Sequence, residues 1–221
     1  MADRSLPKRL WYDFLQVFCR LTAVTLFGTR VWGRQNVPPT GGMLVMSNHQ
    51  SHFDPLLVGL AIDRRLNSLA RKSLFKFTPF RWLIESLNAI PIDREGIGLG
   101  GIKETLKRLK RGELVLIFPE GTRTANGEIA PLKTGFVALA RRGNVPLLPV
   151  GIDGAFDAWP RWKKLPGKAL IHIAIGQPLL PEEAAKLDDE ALVAELERRM
   201  RACHAEARQS RLQASPLAQR S

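Results

Sequence analysis

His49 and Asp54 place a base and a carboxylate five residues apart in the segment Asn48-His49-Gln50-Ser51-His52-Phe53-Asp54. Imidazole is the usual general base near neutral pH. It works best when a carboxylate holds one ring N–H, which fixes the tautomer and stabilises the imidazolium. On a single helix this spacing would splay the two side chains by about 140°, so the pair suits a loop entering a helix. Taken alone, Asp54 also fits a simple helix N-cap and His49 a hydrogen-bonded loop histidine. His49, His52 and Asp54 could instead ligate a metal, although His172 is the only other histidine within the region expected to form the core.

Two later segments end in an arginine beside an acid: Ile90-Pro91-Ile92-Asp93-Arg94 and Phe118-Pro119-Glu120-Gly121-Thr122-Arg123. In the latter, Gly121 permits close backbone approach and Arg123 offers a planar fork suited to phosphate. Thr122 and the local N–H groups can add donors. By itself this segment also reads as a tight turn with a surface Arg–Glu pair, and Asp93-Arg94 as a surface ion pair. Lys133, in Pro131-Leu132-Lys133-Thr134-Gly135, is a further cation, and Val145 to Val150 is a proline-centred apolar run. Together these groups would set an activated hydroxyl beside a captured phosphate.

The elements that must position them alternate along the chain. Short apolar runs at Met43–Ser47, Leu66–Ala70, Ile90–Ile92, Leu114–Phe118, Leu147–Ile152 and Ala169–Ile175 read as strands. The continuous run Leu114–Phe118 fits a strand buried on both faces. Helices are expected over Pro55–Ile62, with Asp54 as N-cap and Pro55 at the first helical position, over Phe80–Leu87, around Ile102, Leu106 and Leu109, and over Gly135–Arg142. A long polar helix is expected over Pro181–Arg211, carrying Leu187, Leu192, Leu196 and Met200. Such alternation predicts an α/β fold with a mixed, largely parallel sheet flanked by helices. The Glu120-Gly121-Thr122-Arg123 turn would then lie at the carboxyl end of a strand, where open α/β sheets bind ligands.

With 221 residues the chain can bury a core unaided, and its composition, 45% hydrophobic and 24% charged, is that of an ordinary globular protein. Cys19 and Cys203 show neither a disulfide framework nor paired metal-type spacing. The net charge of +12 implies an anionic partner. No nucleic-acid-binding motif accompanies it, so anionic lipid is preferred. Leu10 to Trp32 is strongly apolar but interrupted by Asp13, Arg20 and Arg30, which disfavours a spanning helix. A helix lying in the membrane interface fits it; a helix packed on the protein's own core is the alternative. Phe75 to Trp82 and Trp159 to Lys164 interleave aromatic and cationic residues in the same manner, suiting the headgroup layer or a core lining with a basic rim. The expected organisation is a membrane-associating segment at 1–34, an α/β domain at 35–180 and a C-terminal helix with its tail at 181–221.

In order and spacing the groups resemble the glycerolipid acyltransferase family that includes the bacterial 1-acylglycerol-3-phosphate acyltransferases. Asn48, His49 and Asp54 match its N-H-x4-D block, Asp93-Arg94 the end of its second block, Phe118 to Thr124 its F-P-E-G-T-R-S/T block, Lys133 to Gly135 its K-x-G, and Val145 to Val150 its proline-centred strand. The resemblance covers about residues 35–175. Pro91 stands where the family often carries an aromatic, which bears on the wall beside the acceptor. The resemblance implies acyl transfer from acyl-CoA or acyl carrier protein to the hydroxyl of a lysophospholipid, foremost lysophosphatidic acid, without a metal, a cofactor or a covalent acyl-enzyme. It implies His49 as base and Asp54 as its orienter. Asn48, Arg94, Glu120, Gly121, Thr122, Arg123 and Lys133 would bind substrate, and backbone N–H groups or a side chain of the first block would hold the thioester oxyanion. It further implies work at the cytoplasmic face of a bacterial inner membrane. Another lysolipid or lipid hydroxyl as acceptor, a catalytically silent lipid-binding protein, and a metal-dependent hydrolase using His49, His52 and Asp54 are the rival readings.

Overall fold

A computed structural model describes residues 17, 19–71, 90–92 and 98–214. The helix expected over Phe80–Leu87 and the segment Phe75 to Trp82 lie outside the described residues. Among the described residues helix α1 (19–27) comes first, followed by β1 (Arg30–Trp32), β2 (Met43–Ser47), α2 (Asp54–Ala61), β3 (Leu66–Arg71) and β4 (Ile90–Ile92). Then come α3 (Gly98–Lys110), β5 (Leu114–Ile117), α4 (Val137–Gly143), β6 (Leu147–Asp153), α5 (Ala155–Ala158), β7 (His172–Ile175), α6 (Pro181–Ala184) and α7 (Asp189–Ala214).

The strands form one sheet in the order β1-β7-β6-β2-β5-β3-β4. All neighbours pair parallel except β6 with β7, so the sheet is mixed and largely parallel, as the alternation predicts. β2 lies between β5 and β6, in register Val45 with Leu116 and Leu148. Its side chains alternate between two buried faces, which is why its sequence is apolar from Met43 to Met46 rather than at every second residue. Met43 and Val45 pack with α2 and α5, through Leu57, Val58, Ala155 and Ala158. Leu44 and Met46 pack with α3, α4 and α7, through Leu109, Leu139, Leu192, Leu196 and Met200. β5 sorts its residues in the same way, Leu114 and Leu116 to the first face and Val115 and Ile117 to the second.

Two expectations are corrected. The N-terminal helix stops at Phe27, where the Thr29 hydroxyl donates to Ala23 O at 2.8 Å. Arg30–Trp32 then leaves the expected helix and joins the sheet edge as β1, beside β7. Residues 30–32 therefore belong to the sheet of the α/β domain. The long C-terminal helix is broken after α6: Asp188 accepts the Ala191 N–H at 2.8 Å and so starts a new helix. Arg141 spans the break, donating to Ala184 O at 2.7 Å and Leu187 O at 2.6 Å.

α7 lies directly on β6. A Cβ on Gly151 would sit 2.2 Å from the His204 backbone nitrogen and 2.3 Å from the Cys203 carbonyl carbon. Neither is a flexible group, so only glycine lets the helix come this close. Gly151→Ala is expected to lower the unfolding free energy by about 3 kcal/mol through overpacking, read from urea denaturation beside wild type.

Candidate active site

β2, β5 and β6 run parallel, so the loops after Ser47, Ile117 and Asp153 emerge on one edge. The His49–Asp54 loop leaves β2 and ends where α2 begins. Asp54 Oδ2 accepts three hydrogen bonds: from His49 Nδ1 at 2.7 Å, the Gln50 N–H at 2.6 Å and the Ser51 N–H at 2.7 Å. All three donors precede Asp54, and no side-chain cap is made at the start of α2. The expected N-cap is thus corrected: the carboxylate folds its own upstream loop into a turn and does not serve the helix after it.

The Asp54 side chain is fully buried, whereas 19% of the His49 side chain is exposed. An ionised Asp54 only accepts, so the His49 proton sits on Nδ1 and the lone pair on Nε2. Nε2 has no hydrogen-bond partner among the described residues. Phe118 stacks on the imidazole at 4.0 Å between ring centroids and 13° between planes, which fixes the plane of the ring.

Asn48 and Glu120, both expected to bind substrate, make their hydrogen bonds to backbone groups. Asn48 is buried and pairs with the backbone of Ile152 in both directions, donating to its carbonyl at 2.9 Å and accepting its N–H at 2.8 Å. It thereby extends the β2–β6 ladder past the last strand residue. Glu120 is buried as well. Its oxygens accept the His49 N–H at 2.8 Å and the Ala130 N–H at 2.9 Å. Burial pushes the Glu120 carboxyl above its ordinary pKa, against the pull of those two donors. The Thr124 N–H donates to His49 O at 2.8 Å. Both backbone groups of His49 are therefore held by the turn after β5.

The remaining expected residues form the rim. Gly121 has a φ of 70°, and a Cβ there would meet Lys133 Cδ and Nζ at 3.1 Å, so the lysine lies across a glycine that leaves it room. Thr122 and Lys133 are exposed and Arg123 half-buried. Arg123 hydrogen-bonds His52 Nε2. Burial lowers the His52 pKa first, and the Arg123 charge lowers it further. His52 is thus engaged with Arg123 and packs on Trp159. Among the described residues no three His, Cys, Asp or Glu side chains converge as a metal requires. β4 ends at Ile92 on the same sheet edge; Asp93 and Arg94 lie outside the described residues.

The sequence reading missed a buried tier beneath this loop. Gln50 donates to Gly127 O at 2.7 Å, accepts the Phe156 N–H at 3.2 Å and meets His204 Nε2 at 3.2 Å. The same His204 nitrogen lies 3.2 Å from Asp153 Oδ1. Arg208 and Arg211 close on Asp153 from α7. Burial alone would raise the Asp153 pKa, but the hydrogen bonds from His204 and Arg211, with their charges, hold it well below the usual carboxylate range. One signal was available: Leu192, Leu196, Met200, Cys203 and Ala207 mark the buried stripe of α7, and His204 lies on it. His172, at the start of β7, is buried with both ring nitrogens unpartnered among the described residues. Burial, then the Arg30 and Arg211 charges, push its pKa down to about 4.

The acyltransferase family model matches residues 28–153. The 1-acyl-sn-glycerol-3-phosphate acyltransferase of Bacillus subtilis is 34% identical over 161 residues, 72% of this chain and 78% of that protein. The enzyme of the same name from Pseudomonas aeruginosa is 33% identical over 228 residues, covering 97% of this chain and 83% of that one. In fold, the chain resembles the crystal structure of the 1-acyl-sn-glycerophosphate acyltransferase PlsC from Thermotoga maritima. The TM-score is 0.79 at 24% identity, over 97% of this chain and 85% of that one.

The depressed pKa of Asp153 sets a sign for acid stability. Its folded value lies below the ordinary 3.8, so the stabilisation is present at neutral pH and is lost as pH falls below about 4. Asp153→Asn is expected to cost about 3 kcal/mol at pH 7, because it strands arginine charges. The gap from wild type should narrow as denaturation is repeated from pH 5 toward pH 2.

Proposed function

The chain belongs to the acyltransferase family, and on that premise we propose that it moves a fatty acyl group from a thioester to the free hydroxyl of 1-acyl-glycerol-3-phosphate, giving phosphatidic acid. The observation that carries the reading is the buried Asp54 carboxylate holding His49 Nδ1 at 2.7 Å, which leaves Nε2 unengaged at the edge of the sheet. The names of the Bacillus and Pseudomonas relatives support the acceptor.

His49 Nε2 takes the proton of the acceptor hydroxyl as its oxygen attacks the thioester carbonyl. Asp54 stabilises the imidazolium so formed. Collapse of the tetrahedral adduct breaks the C–S bond, and His49 returns its proton to the leaving thiolate. Ester and thiol are the products, with no acyl-enzyme and no cofactor. The phosphate of the acceptor is held by Arg123 and Lys133, with Thr122, the Gly121 backbone and Arg94. Glu120 and Asn48 position His49 instead of touching substrate. The donor is acyl-CoA or acyl carrier protein.

The protein works at a membrane surface, the cytoplasmic face of a bacterial inner membrane. No described helix is long and apolar enough to cross a membrane. Exposed Val17, Leu21, Val24 and Leu26 on and just before α1, together with the net charge of +12, support peripheral docking on anionic lipid.

The test is acyl transfer from labelled acyl-CoA to lysophosphatidic acid, with acyl carrier protein as the alternative donor. His49→Ala is expected to lower kcat by about a thousandfold or more and to leave vesicle binding unchanged. Near-normal turnover by that variant would remove the base assignment. Arg123→Ala is expected to raise the acceptor KM by about tenfold or more with a smaller change in kcat, as for a contact made alike in ground and transition states.

A further inference from the structure

We propose that the loop joining α5 to β7, residues 159–168, is a second lipid-docking surface, which inserts Trp162 and Leu165 into an anionic bilayer beside the active site. It rests on the reading of this protein as an enzyme with a lipid acceptor, and adds the face it turns to the membrane. Trp162 is 57% exposed and Leu165 78% exposed. Around them Arg161, Lys163, Lys164 and Lys168 are all exposed, and no acidic residue occurs between Asp157 and Glu182.

The loop is built and not slack. The Gly167 N–H closes its base on Ala158 O at 2.7 Å, and Trp159 Nε1 braces it on Lys163 O at 2.9 Å. The two tryptophans have separate fates. Trp159, which the sequence offered equally as a lipid contact, turns inward onto Phe53 at 4.8 Å and His52 at 5.0 Å. Trp162 touches Phe156 edge-on at 5.3 Å and leaves over half its surface in solvent. A braced loop that holds one tryptophan and one leucine outward among four cations suits the headgroup layer, where indole and ammonium groups settle together.

Its place in the fold agrees. The loop runs into β7 through Ile171, whose N–H donates at 3.0 Å to the carbonyl of Phe27, the last residue of α1. Phe27 packs on Phe53 at 5.3 Å, and Phe53 on Trp159. The end of α1 and the start of the loop are therefore joined through one aromatic cluster, next to His52 and Arg123. An acidic protein would satisfy the cations, but it gives no account of apolar side chains exposed on both elements.

The experiment is co-sedimentation of the full chain with phosphatidylcholine vesicles, with and without phosphatidylglycerol. Trp162→Ala/Leu165→Ala and Leu165→Asp are each expected to weaken partition onto anionic vesicles by about tenfold. Lys163→Glu/Lys164→Glu is expected to lose the preference for anionic over neutral vesicles. All are expected to keep wild-type turnover on acceptor dispersed in detergent, which also shows that they fold. Leu165→Asp guards against a folding defect caused by loss of the Phe156 contact. Unchanged partition in both apolar variants overturns the proposal. So does unchanged partition with slower transfer from acyl carrier protein, which would assign the loop to a protein donor. A wild-type protein that binds vesicles through this loop yet transfers no acyl group in detergent would sink the proposed reaction and leave the docking surface standing.

Discussion

One oxygen atom organises the site. Asp54 Oδ2 holds the His49 ring and the two N–H groups that follow it, all within 2.7 Å. Charge-assisted bonds of this length are about twice as strong as neutral ones, and the carboxylate that makes them has no water to retreat to. The loop is thus folded around an anion, and the imidazole is one of the groups that hold that anion in place. Oδ1 has no hydrogen-bond partner among the described residues. Its negative charge is left undiminished on that side, which favours a cationic neighbour. In the proposed reaction the imidazolium formed on His49 would be such a neighbour, so incomplete satisfaction of the carboxylate would work toward the charge that develops there.

That arrangement needs the backbone of His49 fixed as firmly as its ring. The turn after β5 supplies this from both sides, through Glu120 on the N–H and Thr124 on the carbonyl. Asn48 then locks the preceding residue to β6. A loop leaving one strand is thereby tied to the ends of both neighbouring strands, and His49 inherits the rigidity of the sheet. Buried polar networks of this type hold one geometry when every member is paired. The parallel order matters here, because only parallel neighbours bring the three carboxyl ends together.

The sheet, its flanking helices and the grouping of His49, Asp54 and the Glu120–Arg123 turn at one edge could be read from the chain, since strand alternation and order along the sequence determine them. Residue roles within the motifs could not. Asn48, Glu120 and Arg123 are all polar, and a sequence does not say whether such a side chain meets a ligand or a backbone N–H. The backbone partners of Asn48 and Glu120 come into reach only in the assembled fold. The same limit hid β1: Arg30–Trp32 continues an apolar, aromatic stretch that reads as helix until β7, more than 130 residues later, offers it an edge. Gln50 and His204 meet across 154 residues, a pairing that no local pattern encodes.

Charge is distributed by the same logic. Asp54, Glu120 and Asp153 are buried anions, each answered locally: the first two by N–H groups and His49, the third by His204, Arg208 and Arg211. An anion so enclosed contributes little field at a distance, so what an approaching phosphate meets is the outer layer. There Lys133 is exposed over Gly121 and Arg123 stands beside His52. At physiological ionic strength exposed charges act over about 8 Å, so only cations beside the site can draw the acceptor's phosphate into it. Holding the anions beneath the loop and the cations on its rim lets one edge of the sheet suit both the proposed base, which needs a carboxylate, and an anionic acceptor, which carries the opposite demand.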